Sequence, residues 1–278
     1  MPKRAKEKYE LFYWPGLQGR GEFIRLLFEE AGVDYVDVGR LPEDQGGGVP
    51  AILRLLGGEH DGLLPLAPPI LRVGDLTIAQ VASICLFLAP RLGLVPDDEP
   101  SRLQADQLQL TVADLVSEVH DTHHPIATGR YYEEQKPAAL ERAAFFTDQR
   151  LPKFLGYFER VLGRNTRSGG RHLVGADLTY VDLSIFQVLE GLAYAFPNAF
   201  AQQQGAIPKL LALRDRVRER PRLAAYLASD RRIPFNETGI FRRYPELDRP
   251  APGGAPRAAV GSARRARTRG SAPGARRG

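Results

Sequence analysis

The feature that most constrains the fold of this chain is a change of pattern near residue 97. Before it, short aromatic and β-branched runs alternate with helical periods. After it, the strand-like runs stop and long helical periods follow one another. This order is typical of an α/β unit joined to an all-α unit. We therefore predict an α/β domain over residues 8–93, an all-α domain over 100–248 and a disordered tail over 249–278.

The first unit begins with the stretch YELFYWPGLQGRGEFIRLLFEEAG, residues 9–32. It reads as a strand, a glycine-rich turn and an amphipathic helix that stops at the last glycine. A second strand is predicted at YVDV, and a short helix is predicted to start at Pro50. Two apolar runs around a Gly-Asp pair then predict a hairpin. The apolar helix that follows is expected to end before Pro90 or at Gly93.

Two short-range features of the second unit predict details of its helices. Pro152 lies inside a long helical period, so we expect a kink or a break there. Thr179 and Asp182 have the spacing of a capping box at the start of a helix. Their role is predicted to be structural, and the loss of either should cost about 1 kcal/mol of stability.

The composition excludes several classes of protein. The single cysteine, Cys85, cannot form an internal disulfide, and we interpret it as a small core residue. Without a run of 18 apolar residues we expect no membrane span. The basic N-terminus lacks an apolar region, which indicates no secretory signal. We therefore predict a cytoplasmic enzyme or binding protein.

The net charge of +5 comes from the end of the chain. Residues 250–278 hold seven arginines and no acidic residue, which leaves the remaining chain with a net charge of −2. This segment lacks aromatic residues and a regular apolar stripe, so it is predicted to be disordered. We interpret it as a solvated tail, and weak charge-driven binding to nucleic acid is the alternative.

Three stretches resemble the cytosolic glutathione S-transferase superfamily, in its tyrosine-type (mu/pi/sigma-like) form. The stretch at 9–32 resembles the N-terminal motif, and APPILRVGDLTIAQVASICLFLAPRLGL resembles the cis-proline, hairpin and third-helix region. LVGADLTYVDLSIFQVLEGL resembles the signature of the buried helix in the second domain. The resemblance spans about 8–248. It implies a thioredoxin-like N-terminal domain followed by a helical one, a homodimer, and glutathione as co-substrate without another cofactor or a metal.

The resemblance also implies a catalytic role for Tyr13. A hydroxyl that donates a hydrogen bond to a sulfur favours the thiolate, which then attacks an apolar electrophile. Arg20 matches a position that meets a glutathione carboxylate, for which a guanidinium is well suited. Trp14 is expected to wall the site or to pack in the core. The same thiolate chemistry would support conjugation, isomerisation or peroxide reduction.

Two positions depart from the pattern of the family. Pro69 matches the cis-proline, but Pro68 before it has no N–H to donate to glutathione. Gln80 and Val81 stand where an acidic or amide residue and a serine or threonine are usual. Val81 keeps the backbone donor and loses the hydroxyl, a loss that is expected to weaken binding about 10- to 100-fold. A non-catalytic ligand-binding or scaffold protein therefore remains the alternative.

One further motif is the histidine-rich stretch HDTHH. His120 and His124 are four residues apart, the spacing of a metal-binding pair on a helix. No third ligand follows at a recognised spacing. We therefore interpret the stretch as a polar helix end.

Overall fold

The computed structural model of the chain describes residues 8–250. Most of the predicted tail, residues 251–278, lies outside the described residues, as do residues 1–7. Within the described range, no helix is both long enough and apolar enough to cross a membrane.

A four-stranded mixed sheet forms the first half of the protein. Its strands are β1 (Tyr9–Phe12), β2 (Tyr35–Asp37), β3 (Ile70–Val73) and β4 (Leu76–Ala79), in the order β2-β1-β3-β4. β1 runs parallel to β2 and antiparallel to β3, and β3 and β4 form the predicted hairpin. The aromatic and branched residues of β1 and β3 are mostly buried, since helices cover the sheet.

Three helices accompany this sheet: α1 (Gly21–Ala31), α2 (Gly48–Leu56) and α3 (Val81–Leu92). α2 begins two residues before the predicted start at Pro50. A proline fits in the first turn of a helix, because its missing N–H has no partner there. α3 continues through Pro90 and ends at Gly93, whose φ of 67° forms a left-handed cap.

The second half contains only helical segments within the described residues. The α-helices are α4 (Glu99–Asp121), α5 (Lys136–Phe145), α6 (Leu151–Arg164), α7 (Tyr180–Ala195), α8 (Pro197–Gln203), α9 (Pro208–Arg218) and α10 (Pro221–Leu227). The predicted break near Pro152 is confirmed: a π-helical segment, Phe146–Arg150, separates α5 from α6.

Both halves also contain short 3₁₀ turns, at Val38–Arg40, Glu43–Gln45, Tyr132–Glu134, Thr166–Ser168, Gln204–Ala206 and Pro245–Leu247.

One hydrophobic core runs through both halves. α1 packs against α3 of the first half and against α7 and α10 of the second. α7 is buried along almost its whole length, as its continuous apolar sequence requires. Cys85 is fully buried in this core, and burial raises the pKa of its thiol, so the interpretation as a core residue is confirmed.

The predicted capping box at the start of α7 is confirmed, and it does more than cap. The Asp182 carboxylate accepts hydrogen bonds from the backbone N–H and the hydroxyl of Thr179, at 2.7 and 2.9 Å. It also accepts one from the backbone N–H of Leu173 at 2.8 Å. Asp182 therefore joins the segment before α7 to the helix itself.

We expect Asp182→Ala to lower the free energy of unfolding by about 2–4 kcal/mol, more than a cap alone contributes. The substitution leaves the N–H groups of Leu173 and Thr179 buried without an acceptor, and each such group costs about 1–3 kcal/mol. Urea unfolding at pH 8 measures the change, because burial raises the pKa of Asp182 only to about 6. The matched control is Asp98→Ala at the exposed start of α4, where only one bond, to the Ser101 N–H, is lost and a smaller loss is expected because water can replace it. Equal losses in the two variants would contradict this role of Asp182.

Candidate functional site

The register of the sheet brings several predicted site residues to one edge. Phe12, the last residue of β1, pairs with Ile70, and Ile70 also pairs with Ala79. Tyr13 directly follows β1, Pro69 directly precedes β3, and Gln80 directly follows β4. These three positions therefore lie side by side at the edge where β1 and β4 end.

Tyr13 is held at this edge by the turn that follows it. Only 5% of its surface is exposed. Its hydroxyl oxygen accepts a hydrogen bond from the backbone N–H of Arg20 at 2.8 Å. The bond uses an acceptor site of the oxygen and leaves the O–H proton available for a second partner. The hydroxyl is thus oriented as a donor.

The glycines of the turn allow this close contact. A Cβ atom on Gly19 would lie 2.1 Å from the Tyr13 hydroxyl, and one on Gly21 would lie 2.6 Å from the ring. Gly19 also has a φ of 43°, which other residues rarely adopt. The glycine-rich sequence is therefore required for the turn to close over the tyrosine.

The ionisation state of Tyr13 suits a hydrogen-bond donor. Burial raises the pKa of Tyr13, while the Arg20 N–H and the charges of Arg20 and Arg25 act in the opposite direction. The net shift is upward from a value already near 10. The hydroxyl therefore keeps its proton at neutral pH.

Arg25 of α1 holds the turn between β1 and α1 in place. Its fully buried guanidinium donates hydrogen bonds to the carbonyl oxygens of Leu17 and Gln18, at 3.2 and 3.3 Å. Its charge is paired with Glu22 at 3.2 Å and with Asp37 at 2.8 Å. Burial alone would lower the pKa of Arg25, but the two carboxylates raise it, so the guanidinium remains charged. Sequence analysis missed Arg25, although a charged residue within the apolar run FIRLLF is a recognisable signal.

The helical half completes this network. The Gln18 side chain accepts a hydrogen bond from Gln187 of α7 at 2.8 Å. The buried Glu22 carboxylate accepts one from the Tyr226 hydroxyl of α10 at 2.6 Å and pairs with Arg232. Elements far apart in the sequence thus hold the turn that contacts Tyr13.

The remaining predicted residues surround the same edge. The Pro68-Pro69 bond is cis, and both prolines are buried. Gln80 is the one residue other than glycine with a positive φ, 71°, within the described chain, a conformation that is often found at ligand sites. Val81 at the start of α3 is 9% exposed and packs in the main core. Trp14 is half-buried and packs against the small cluster around Ile70.

Arg20 faces the helical half of the protein. It is half-buried at the start of α1, and its charge contributes to the lowered pKa of His120 at the end of α4. The end of α4 thus lies near the turn. The structure also places His123 beside the predicted pair of His120 and His124; the sequence spacing points to His120 and His124 alone.

Comparisons with known proteins match this architecture. The family described as "Glutathione S-transferase, C-terminal domain" matches residues 120–230. The glutathione S-transferase of Plasmodium falciparum is 24% identical over 79% of this chain and 95% of its own. Glutathione S-transferase P 1 of Xenopus laevis is 27% identical over 81% of this chain and 93% of its own. The structure of a pi-class glutathione S-transferase from Onchocerca volvulus covers 78% of this chain and 91% of its own, with a TM-score of 0.61 and 23% identity.

Proposed function

We propose that this chain, which belongs to the glutathione S-transferase superfamily, is a transferase that adds the thiolate of glutathione to an apolar electrophile. The observation that carries the proposal is the Tyr13 hydroxyl. It is buried at the sheet edge, it accepts from the Arg20 N–H, and its own proton remains to be donated. Donation to the glutathione sulfur favours the thiolate over the thiol.

We assign the other predicted residues to the parts of glutathione. The Arg20 guanidinium pairs with a carboxylate, and the backbone N–H groups at Gln80 and Val81 face another at the start of α3. The carbonyl of Pro68 accepts from the cysteinyl N–H, and Pro69 shapes that contact. Trp14 borders the sulfur on its apolar side. No metal is needed in this reaction, because the tyrosine hydroxyl supplies the stabilisation of the sulfur charge.

The test is a spectrophotometric titration of glutathione bound to the full chain. The ultraviolet absorbance of the thiolate is followed against pH, and calorimetry gives the affinity. We expect the thiol in the complex to titrate at least one pH unit below its free value of about 8.5. Binding with an unshifted thiol pKa would contradict the proposed activation.

A non-catalytic ligand-binding or scaffold protein is the second candidate. It is favoured by the missing N–H of Pro68 and the missing hydroxyl at Val81. Such a protein would bind apolar dyes between its two halves and would give no thiolate absorbance with glutathione. The titration therefore separates the two functions directly.

We expect Val81→Thr to lower the Kd of glutathione about 10-fold or more. The added hydroxyl would supply a hydrogen bond to a charged carboxylate, worth about 1.5–3 kcal/mol, while the branched shape of the side chain is kept. Calorimetry on both proteins measures the difference. Val217→Thr, the same change at a buried position of α9, should leave the Kd unchanged. An unaltered Kd in Val81→Thr would mean that position 81 does not face the ligand.

We propose further that the chain forms a homodimer. Three leucines between α2 and β3 (Leu63, Leu64 and Leu66) are 86%, 60% and 90% exposed, and Leu103 and Leu110 on α4 are 62% and 51% exposed. Large apolar patches left exposed mark interaction surfaces, and the three loop leucines lie within four consecutive positions. Sedimentation equilibrium is expected to give twice the chain mass of 30.8 kDa, and Leu66→Glu should shift the protein toward the monomer. A monomeric wild type would contradict the proposal.

A further inference from the structure

Three histidines converge at the C-terminal end of α4. One ring nitrogen of each of His120, His123 and His124 lies within 4.8 Å of one from each of the others. The Nδ1 atoms of His123 and His124 are 2.6 Å apart. The His120 ring stacks on that of His124 with centroids 5.0 Å apart. These three are among only five histidines in the chain, so the grouping is concentrated in one place.

The orientation of His123 is fixed by a hydrogen bond from its other nitrogen. Its Nε2 lies 2.8 Å from the carbonyl oxygen of Ile240 and must donate to it. The Nδ1 atom therefore carries a lone pair, directed at the Nδ1 of His124. A histidine whose second nitrogen donates to a backbone carbonyl is the usual arrangement around a protein-bound metal ion.

We propose that His120, His123 and His124 bind a divalent transition-metal ion of the zinc type. Imidazole nitrogens suit Zn²⁺ and its neighbours in the first transition row. Two nitrogens at about 2.0–2.1 Å from a tetrahedral zinc ion are about 3.4 Å apart. One nitrogen from each of the three rings lies within 4.8 Å of the other two, so rotation of the rings could bring all three to this spacing around one ion.

The charges around the cluster determine how strongly the ion is held. Burial lowers the pKa of all three histidines, and the positive charge of Arg242 acts in the same direction. Arg20 and Arg242 oppose a cation, while the Asp121 carboxylate, 3.8 Å from His120 Nδ1, attracts one.

The bound ion would connect two parts of the fold. His120 belongs to α4, whereas His123 is tied to Ile240 in the segment that follows α10. Fixing the three rings would hold the end of α4 against this segment, close to the turn that carries Arg20. Cys85 does not compete as a ligand, because it is fully buried in the core.

The test is a titration of the full chain with Co²⁺, after treatment with EDTA and without a histidine tag. Four-coordinate Co²⁺ gives strong visible absorption bands, whereas six-coordinate Co²⁺ in water gives weak ones. We expect one Co²⁺ per chain with strong bands, displaced by one equivalent of Zn²⁺. No glutathione is present, so the result does not depend on the proposed enzymatic function.

Variants locate the site. His120→Gln, His123→Gln and His124→Gln should each weaken Co²⁺ binding by more than the 10-fold that loss of an orienting partner costs. His60→Gln, at a half-buried loop histidine outside the cluster, should bind like the wild type. Zn²⁺ should raise the Tm of the wild type and of His60→Gln and leave that of His120→Gln unchanged. Weak six-coordinate spectra only, or binding that survives all three cluster variants, would overturn the proposal.

Discussion

Tyr13→Phe is expected to raise the pKa of bound glutathione thiol by about one to two units and to lower kcat/KM at pH 7 about 10- to 100-fold. A hydrogen bond to a charged group is worth about 1.5–3 kcal/mol, and one pKa unit corresponds to 1.36 kcal/mol. The variant keeps the ring that packs against Gly19 and Gly21 and removes only the hydroxyl. In the wild type the Tyr13 oxygen accepts from the Arg20 N–H and its own O–H proton stays available for the sulfur. Phenylalanine has no such proton.

The measurement combines the thiolate titration with the pH dependence of the conjugation rate. A loss through the thiol pKa is recovered as the pH rises toward that pKa, whereas a loss through misfolding is not. Tyr35→Phe is the matched control, because its hydroxyl bonds to Glu29 at 3.2 Å, away from the sheet edge. It should change neither the thiol pKa nor the rate. An equal thiol pKa in Tyr13→Phe and the wild type would exclude Tyr13 as the activating group.

Arg25→Met is expected to lower the free energy of unfolding by about 3–5 kcal/mol, the usual cost of removing one partner from a buried ion pair. The methionine would fill much of the space. It would leave the Asp37 carboxylate without the Arg25 cation and Glu22 with Arg232 alone, and it would remove one donor from each of the carbonyls of Leu17 and Gln18. Chemical denaturation at pH 7 measures the loss.

The matched control for Arg25 is Arg72→Met on β3. Arg72 pairs with Glu10 at 2.7 Å, but its side chain is 38% exposed. Water screens such a pair, so a change of at most about 1 kcal/mol is expected. Similar losses in the two variants would show that burial does not set the strength of the Arg25 network. A fall in glutathione affinity for a folded Arg25 variant would further support its role in positioning the turn.

Local sequence was sufficient to predict most elements of the fold. The apolar periods predicted α1, α3 and α7, the Gly-Asp pair predicted the β3–β4 hairpin, and Pro152 predicted the break before α6. These predictions succeeded because each depends on residues a few positions apart, whose steric and hydrogen-bonding preferences act locally. The resemblance to a known family added the cis bond before Pro69, which is present.

Only the tertiary structure decided what surrounds the candidate site. Gln18 meets Gln187, 169 positions away, and Glu22 meets Arg232, 210 positions away. The ring of His123 is oriented by the carbonyl oxygen of Ile240, 117 positions away. A periodic pattern specifies which face of a helix is buried, but not which distant face lies against it. The sequence by itself therefore determined the elements and the position of Tyr13, whereas packing between the two halves decided which groups hold the turn and gather the histidines.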